Sequence, residues 1–188
     1  MKKGLVFVIS APAGTGKTTL VRMLRDEFHS VIESISYTTR SPRPNEIPGR
    51  DYNFISIDEF VDKIQEGEFL EYAQVFNQYY GTSRKFVNGQ LEKGKHVILV
   101  IDTQGALQLK GSLEAVYIFI SPPSLDELRA RLYRRKSETE EAIETRLSWA
   151  EKEMALAKEY DYHIVNDNLK AAYEALRSIL IAEEHRNR

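Results

Sequence analysis

The run Ser10-Ala11-Pro12-Ala13-Gly14-Thr15-Gly16-Lys17-Thr18-Thr19 carries the residue types that phosphate chemistry needs. Gly14 and Gly16 can take backbone angles closed to other residues, so successive N–H groups can turn toward one anion. Lys17 adds a full positive charge for outer phosphates, and the Thr18 hydroxyl is placed to ligate Mg²⁺. A helix starting near Thr19 would point the positive end of its dipole at the same spot. Residues Ala11 to Thr18 therefore read as a cradle for a nucleoside triphosphate. Ala11 stands where the usual loop signature begins with glycine. Its Cβ demands that the chain enter the loop with an ordinary negative φ.

A second set of residues suits a second anion. Arg40 and Arg43 lie three apart in Thr38-Thr39-Arg40-Ser41-Pro42-Arg43-Pro44. Guanidinium groups grip phosphate oxygens with paired hydrogen bonds, and a proline-stiffened backbone lowers the entropy lost in ordering them. Tyr52 and the pair Tyr79-Tyr80 follow, with hydroxyls able to donate to the same phosphate. Two carboxylates stand out, Glu71 and Asp102. Asp102 ends an apolar run, where an α/β sheet places ligand groups. It can hold Mg²⁺ through water or accept from a substrate. Further on, Arg129, Arg131, Arg134, Arg135, Lys136 and Arg146 crowd one segment. Arginines carried down by a closing cover can neutralise charge on a transferring phosphoryl group.

These residues need a frame. The apolar run Leu5–Ile9 precedes the loop, and Val97–Ile101, Val116–Ile120 and Tyr162–Val165 read as further buried parallel strands. Helical spacing follows them: Leu20, Leu24 and Phe28, then Leu169, Ala172, Tyr173, Leu176 and Leu180. Capping boxes at Ser56-x-x-Glu59, Ser124-x-x-Glu127 and Ser137-x-x-Glu140 mark helix starts. Strands alternating with helices imply a doubly wound parallel sheet, with ligands at the strands' carboxyl ends. Two segments break the rhythm. Residues 34–85 are rich in Tyr, Arg, Pro and Asn and suit an insertion of mixed β structure with one helix near Ile57–Glu66. Residues 125–146 are dense in charge, short of large apolar side chains, and suit a mobile helical lid. The core is then 1–33, 86–124 and 147–188.

Composition sets bounds. The chain has 188 residues, 42% apolar and 29% charged, enough for one ample domain. A net charge of −2 argues against non-specific nucleic-acid binding by the whole surface. No cysteine is present, which excludes disulfides and thiolate chemistry, and the four histidines show no ligand spacing. The apolar run after Met1-Lys2-Lys3 stops at Ser10, too short for a signal peptide, and no run approaches a membrane span. A soluble, cytoplasmic protein is expected.

Assembled, these motifs resemble the guanylate kinases along essentially the whole chain. The resemblance rests on the phosphate loop, Ser36-Tyr37-Thr38-Thr39-Arg40-Ser41-Pro42-Arg43, Gly49-Arg50-Asp51-Tyr52-Asn53-Phe54 and Phe69-Leu70-Glu71-Tyr72-Ala73. It extends through Tyr79-Tyr80-Gly81-Thr82, Ile101-Asp102-Thr103-Gln104-Gly105, Phe119-Ile120-Ser121-Pro122-Pro123 and Val165-Asn166-Asp167. It implies that Arg40, Arg43, Tyr52 and Tyr80 hold the GMP phosphate, and that Ser36, Glu71, Thr82 and Asp102 recognise guanine. Arg135 and Arg146 match arginines that contact ATP phosphates, and Asn166 joins the ATP side. The fold expected is α/β: a doubly wound, parallel five-stranded core sheet with the phosphate loop, an inserted mixed β acceptor-binding subdomain and a helical lid. The activity expected is Mg²⁺-dependent transfer from ATP to GMP, and to dGMP, by Lys17, Arg40, Arg43, Arg135 and Arg146 without a general base. Small-molecule substrates are the expected partners, with no nucleic acid or membrane, in a monomer or small homo-oligomer. Two alternatives stand beside this: a peptide-binding scaffold of the same fold, and a related kinase with another acceptor, such as a phosphorylated sugar.

Overall fold

A computed structural model describes residues 3–134 and 139–187. Strand β1 (Val6–Ser10) runs into the phosphate loop and helix α1 (Lys17–Glu27). Three short strands follow, β2 (Val31–Glu33), β3 (Tyr37–Thr38) and β4 (Asn53–Phe54), then helix α2 (Ile57–Gln65). The hairpin β5 (Phe69–Val75) and β6 (Gln78–Ser83) leads to α3 (Arg84–Glu92). Next come β7 (His96–Val100), α4 (Thr103–Leu109) and β8 (Val116–Ser121). The chain closes with α5 (Leu125–Arg134), α6 (Glu140–Ala155), β9 (Tyr162–Val165) and α7 (Leu169–Glu184).

The core sheet has five parallel strands in the order β2-β7-β1-β8-β9. Every residue of β1 is buried, as a central strand covered on both faces must be. One face packs on α1 and α7 through Phe7, Ile9, Leu20, Leu24, Leu176 and Leu180. The other packs on α3 and α4 through Val8, Val87, Leu91, Leu99 and Leu109. Because β1 lies between β7 and β8, the order reverses at β1. A crevice therefore opens at the carboxyl ends of β1 and β7, where Ser10 and Asp102 sit. Sequence pattern alone marks four of the five strands. The fifth, β2, is a three-residue edge strand, too short for its alternation to register.

The second sheet is mixed, in the order β4-β3-β6-β5, and carries the hairpin that presents Glu71 and Thr82. Phe60 of α2 packs beneath it against Phe69 and Tyr79. Helix starts follow the serines unevenly. Ser56 forms the full reciprocal box with Glu59. The Ser124 hydroxyl accepts from the Glu127 N–H, but the Glu127 carboxylate turns instead to Arg131 and Arg134. The box expected at Ser137 gives way to a cap at Thr139, which accepts from the Ala142 N–H and starts α6 two residues later; Ser137 itself lies outside the described residues. The 125–146 segment, read as dense in charge and short of large apolar side chains, still buries the few it has. Leu128, Leu132 and Ile143, with Leu147 and Ala150, form a small core between α5 and α6. A few apolar side chains suffice there because helical spacing lines them up on facing stripes.

Candidate active site

The loop between β1 and α1 turns as its glycines allow: Gly14 and Gly16 both have φ 93°. Ala11 is buried and is not among the residues with positive φ, so the alanine entry costs no strain. Gly16 caps α1 without any side-chain acceptor, and no acid stands in the first helical turn. The helix therefore keeps its unpaired N–H groups and positive end for an anion. Behind the loop, Thr15 donates its hydroxyl to the Pro12 carbonyl. The buried Asn166 side chain donates to the Thr15 carbonyl at 2.6 Å, so Asn166 braces the loop from the end of β9. Helix α5 lies against the loop's other side: a Cβ on Gly14 would stand 3.0 Å from Leu132 and 3.1 Å from Leu128. Gly14, Thr15, Gly16, Thr19, Arg131 and Asn166 line an open cleft of ≈ 370 Å³.

Lys17 reaches back to the Ala11 carbonyl at 3.4 Å. Loss of water around its ammonium lowers its pKa, an effect opposed by the charges of Glu153, Asp102 and Glu33. Glu153, on α6, is itself pushed up to about 7 by burial, with Lys17 pulling it down and Asp102 adding to the rise. Asp102 caps α4, its Oδ1 accepting from the Gly105 N–H at 3.0 Å and its Oδ2 from Gln104 Nε2 at 3.1 Å. Thr18 is exposed on the first turn of α1, beside Lys17.

Asp102 links this half of the site to the other. Glu71 is only 5% exposed and its Oε1 accepts from the Thr82 hydroxyl across the hairpin. Burial pushes its carboxyl up to about 7; the Thr82 bond opposes this and the Asp102 charge adds to it. Gly105 makes room for it, since a Cβ there would meet Glu71 Oε2 at 2.4 Å. Ser36 is buried at the entry to β3.

Arg40 follows β3 and is held by an acid of its own loop. Its Nη1 donates to Glu46 Oε2 at 3.0 Å and its Nη2 to Glu46 Oε1 at 2.9 Å. The Arg43 N–H donates to the same carboxylate at 2.7 Å, while the Arg43 side chain is exposed. The Arg40 guanidinium lies 5.3 Å from the Tyr52 ring centroid, and Tyr52 packs edge-on to Tyr80 at 5.9 Å. Tyr79 points to the opposite face of the sheet and packs on Phe60, so the two adjacent tyrosines serve different faces. Alternation along β6 sends only Tyr80 to the arginine side. Arg146 is half-buried on α6 and Arg131 donates to the Asn166 carbonyl at 3.1 Å. Arg135 and Lys136 lie outside the described residues. Sequence reasoning passed over Glu46, Glu153 and the role of Gly105. Glu46 follows Arg43 at a turn-compatible spacing of three, which was a usable signal; Glu153 and Gly105 act only through distant partners.

Among the described residues, no group of three or more His, Cys, Asp or Glu side chains could hold a metal ion. An exposed hydroxyl beside the lysine fits Mg²⁺ nonetheless, since that ion arrives with substrate phosphates and needs few protein ligands.

A glycine-turned loop at a helix start, with its lysine, and a buried acid that feels the Asp102 charge in common with that lysine, on a five-stranded parallel sheet, are features of a P-loop kinase. Residues 3–183 match the family model described as guanylate kinase. The guanylate kinase of Protochlamydia amoebophila is 60% identical over 185 residues, spanning 98% of this chain and 94% of that protein. That of Chlamydia muridarum is 53% identical over 182 residues, 96% and 89% of the two chains. The crystal structure of guanylate kinase from Anaplasma phagocytophilum superposes with a TM-score of 0.82 at 34% identity, covering 99% of this chain and 89% of that one. The chain belongs to the guanylate kinase family, and is a nucleoside monophosphate kinase.

Proposed function

We propose that the protein transfers the γ-phosphoryl group of ATP to GMP, and to dGMP, by in-line displacement. The observation that carries the acceptor's identity is the buried Glu71–Thr82 pair beside Asp102. Guanine offers adjacent donors, N1–H and the 2-amino group, and a carboxylate offers two matched acceptors. Adenine would meet it with a lone pair at N1 and no 2-amino group, leaving buried polar groups unpaired.

The attacking atom is an oxygen of the GMP phosphate, anionic at neutral pH, so no general base is required. Arg40, Arg43, Tyr52 and Tyr80 orient that phosphate. Lys17, the loop N–H groups and Arg146 stabilise charge on the donor, and Arg135 is assigned the same task. Asn166 serves ATP indirectly, by holding the loop through Thr15. The Thr18 hydroxyl and, through water, Asp102 would hold Mg²⁺, which would supply neutralising charge to the donor oxygens. Residues 34–85 act as the acceptor-binding unit and 125–146 as the lid, which excludes water from the transfer.

ADP release measured with GMP, dGMP, AMP, UMP and ribose phosphates, with and without EDTA, tests this reading. Turnover restricted to GMP and dGMP and abolished by EDTA is expected; equal turnover with AMP or a ribose phosphate would refute the role of Glu71.

A further inference from the structure

The turn of the β5–β6 hairpin holds an unusual residue. Phe76 has φ 48° and Asn77 φ 62°, so both central turn residues are left-handed, the geometry tight hairpins prefer. Asparagine tolerates this, but a bulky aromatic side chain pays for it in steric strain. Glycine would close the same turn more easily. What the phenylalanine gains is a contact: its ring meets Trp149 of α6 edge-on, centroids 5.4 Å apart. Lys152 Nζ lies over the same indole, 6.0 Å from its centroid. Phe76 is still 46% exposed, so it is no part of the core, and its contact joins the hairpin to a helix from another part of the chain.

The two ends of this bridge matter. The hairpin carries Glu71, Tyr80 and Thr82 and is tied to α4 by Gln108 Nε2 on the Tyr72 carbonyl at 2.8 Å. On α6, Arg146, Trp149 and Glu153 follow at i, i+3 and i+7, so they share one helical face. Ile143, Leu147 and Ala150 occupy the neighbouring face and pack toward α5. Trp149 therefore sits between the arginine assigned to the donor and the acid whose charge acts on Lys17.

We infer that Phe76 and Trp149 are positioning residues for phosphoryl transfer: the hairpin tip sets the rotation and height of α6, so that acceptor binding to the hairpin aligns Arg146 and Glu153 on the donor side. The inference rests on the proposed site reading, in which Arg146 serves the donor phosphates. It requires acceptor binding to be felt at Trp149, and the loss of either ring to break the same link.

Trp149 is the sole tryptophan, so its emission reports on the contact directly. In wild-type protein, GMP should change that emission; in Phe76→Ala and Phe76→Gly the GMP response should vanish. Both variants should lose roughly three- to tenfold in kcat, the worth of one aromatic pair, with a smaller change in GMP KM. Trp149→Ala should match them, the double variant should be no worse than either single one, and Phe76→Tyr should restore wild-type behaviour. Phe76→Gly also separates positioning from stability. Relief of the left-handed strain should leave its thermal midpoint at or above wild type, while its kcat falls with that of Phe76→Ala. Unchanged kcat in Phe76→Gly, additive losses in the double variant, or a wild-type emission indifferent to GMP would each overturn the inference while leaving the site reading intact. Absence of GMP turnover in wild-type protein would overturn the site reading, and this inference with it.

Discussion

Glu71→Gln keeps the volume of the side chain and removes its charge and one of its two acceptors. The Thr82 hydroxyl donates to Oε1, so in the variant it should select the amide oxygen for that position. The amide NH₂ then falls at the Oε2 position and faces a guanine donor with another donor. One charge-assisted hydrogen bond is lost and one buried N–H of guanine is left unpaired, together about 4 kcal/mol, or roughly a thousandfold in kcat/KM for GMP. The ATP KM should not move, because Glu71 touches nothing on the donor side. A pH series sharpens the test. Burial, with the Asp102 charge adding and the Thr82 bond opposing, holds Glu71 at about 7, and guanine donors select its ionised form. GMP affinity in the wild type should therefore rise with pH through about 7, relative to Glu71→Gln, which retains the phosphate's own titration but lacks this limb. Stability runs the other way. A folded pKa above the ordinary 4.5 favours folding at low pH, and that contribution fades as pH climbs through about 7. At pH above that range, Glu71→Gln should thus melt no lower than wild type. The assays are coupled ADP release, calorimetric GMP titration and thermal melting. Equal losses on GMP and ATP, or a GMP loss below about tenfold, one pKa unit in free energy, would refute the reasoning.

Lys17→Ala should cut kcat by at least about a hundredfold, as the removal of a preorganised charge does. Its melting temperature should hold, because Lys17's pKa is lowered by its own desolvation. Gly105→Ala drives a methyl to 2.4 Å from Glu71 Oε2; steady-state kinetics should show a large rise in GMP KM with the ATP KM unchanged. Asn166→Ala removes the 2.6 Å brace on the Thr15 carbonyl and should cost about 1–3 kcal/mol in chemical denaturation, the price of an orphaned buried acceptor. Its ATP KM should rise while GMP binding, measured alone, stays put.

Much of this site was legible as text because its donor half is local. The glycines, Lys17 and Thr18 are neighbours in sequence, and a strand before and a helix after suffice to bring them to one point. Arg40 and Tyr52 were visible as residue types, and the family resemblance supplied the rest of the acceptor set. What resisted reading were residues that act across the chain. The resemblance puts Asn166 on the ATP side, but its bond to Thr15, from 151 positions away, is not written in either segment. Glu46 went unread, and only the structure shows its carboxylate spanning the fork of Arg40. The resemblance names Tyr80 and not Tyr79; the physical reason, the opposite faces of β6 that they occupy, needed the structure.

Four of the five core strands, their alternation with helices and the phosphate loop follow from the sequence by itself, since apolar runs, helical spacing and glycine spacing act over a few residues and need no distant partner. The switch in strand order at β1, the approach of Gly105 to Glu71, the charges gathered around Asp102 and the meeting of Phe76 with Trp149 were decided by tertiary structure alone. Each depends on side chains far apart in sequence being forced together by burial. The free energy of that burial belongs to the whole packed sheet and to no local segment.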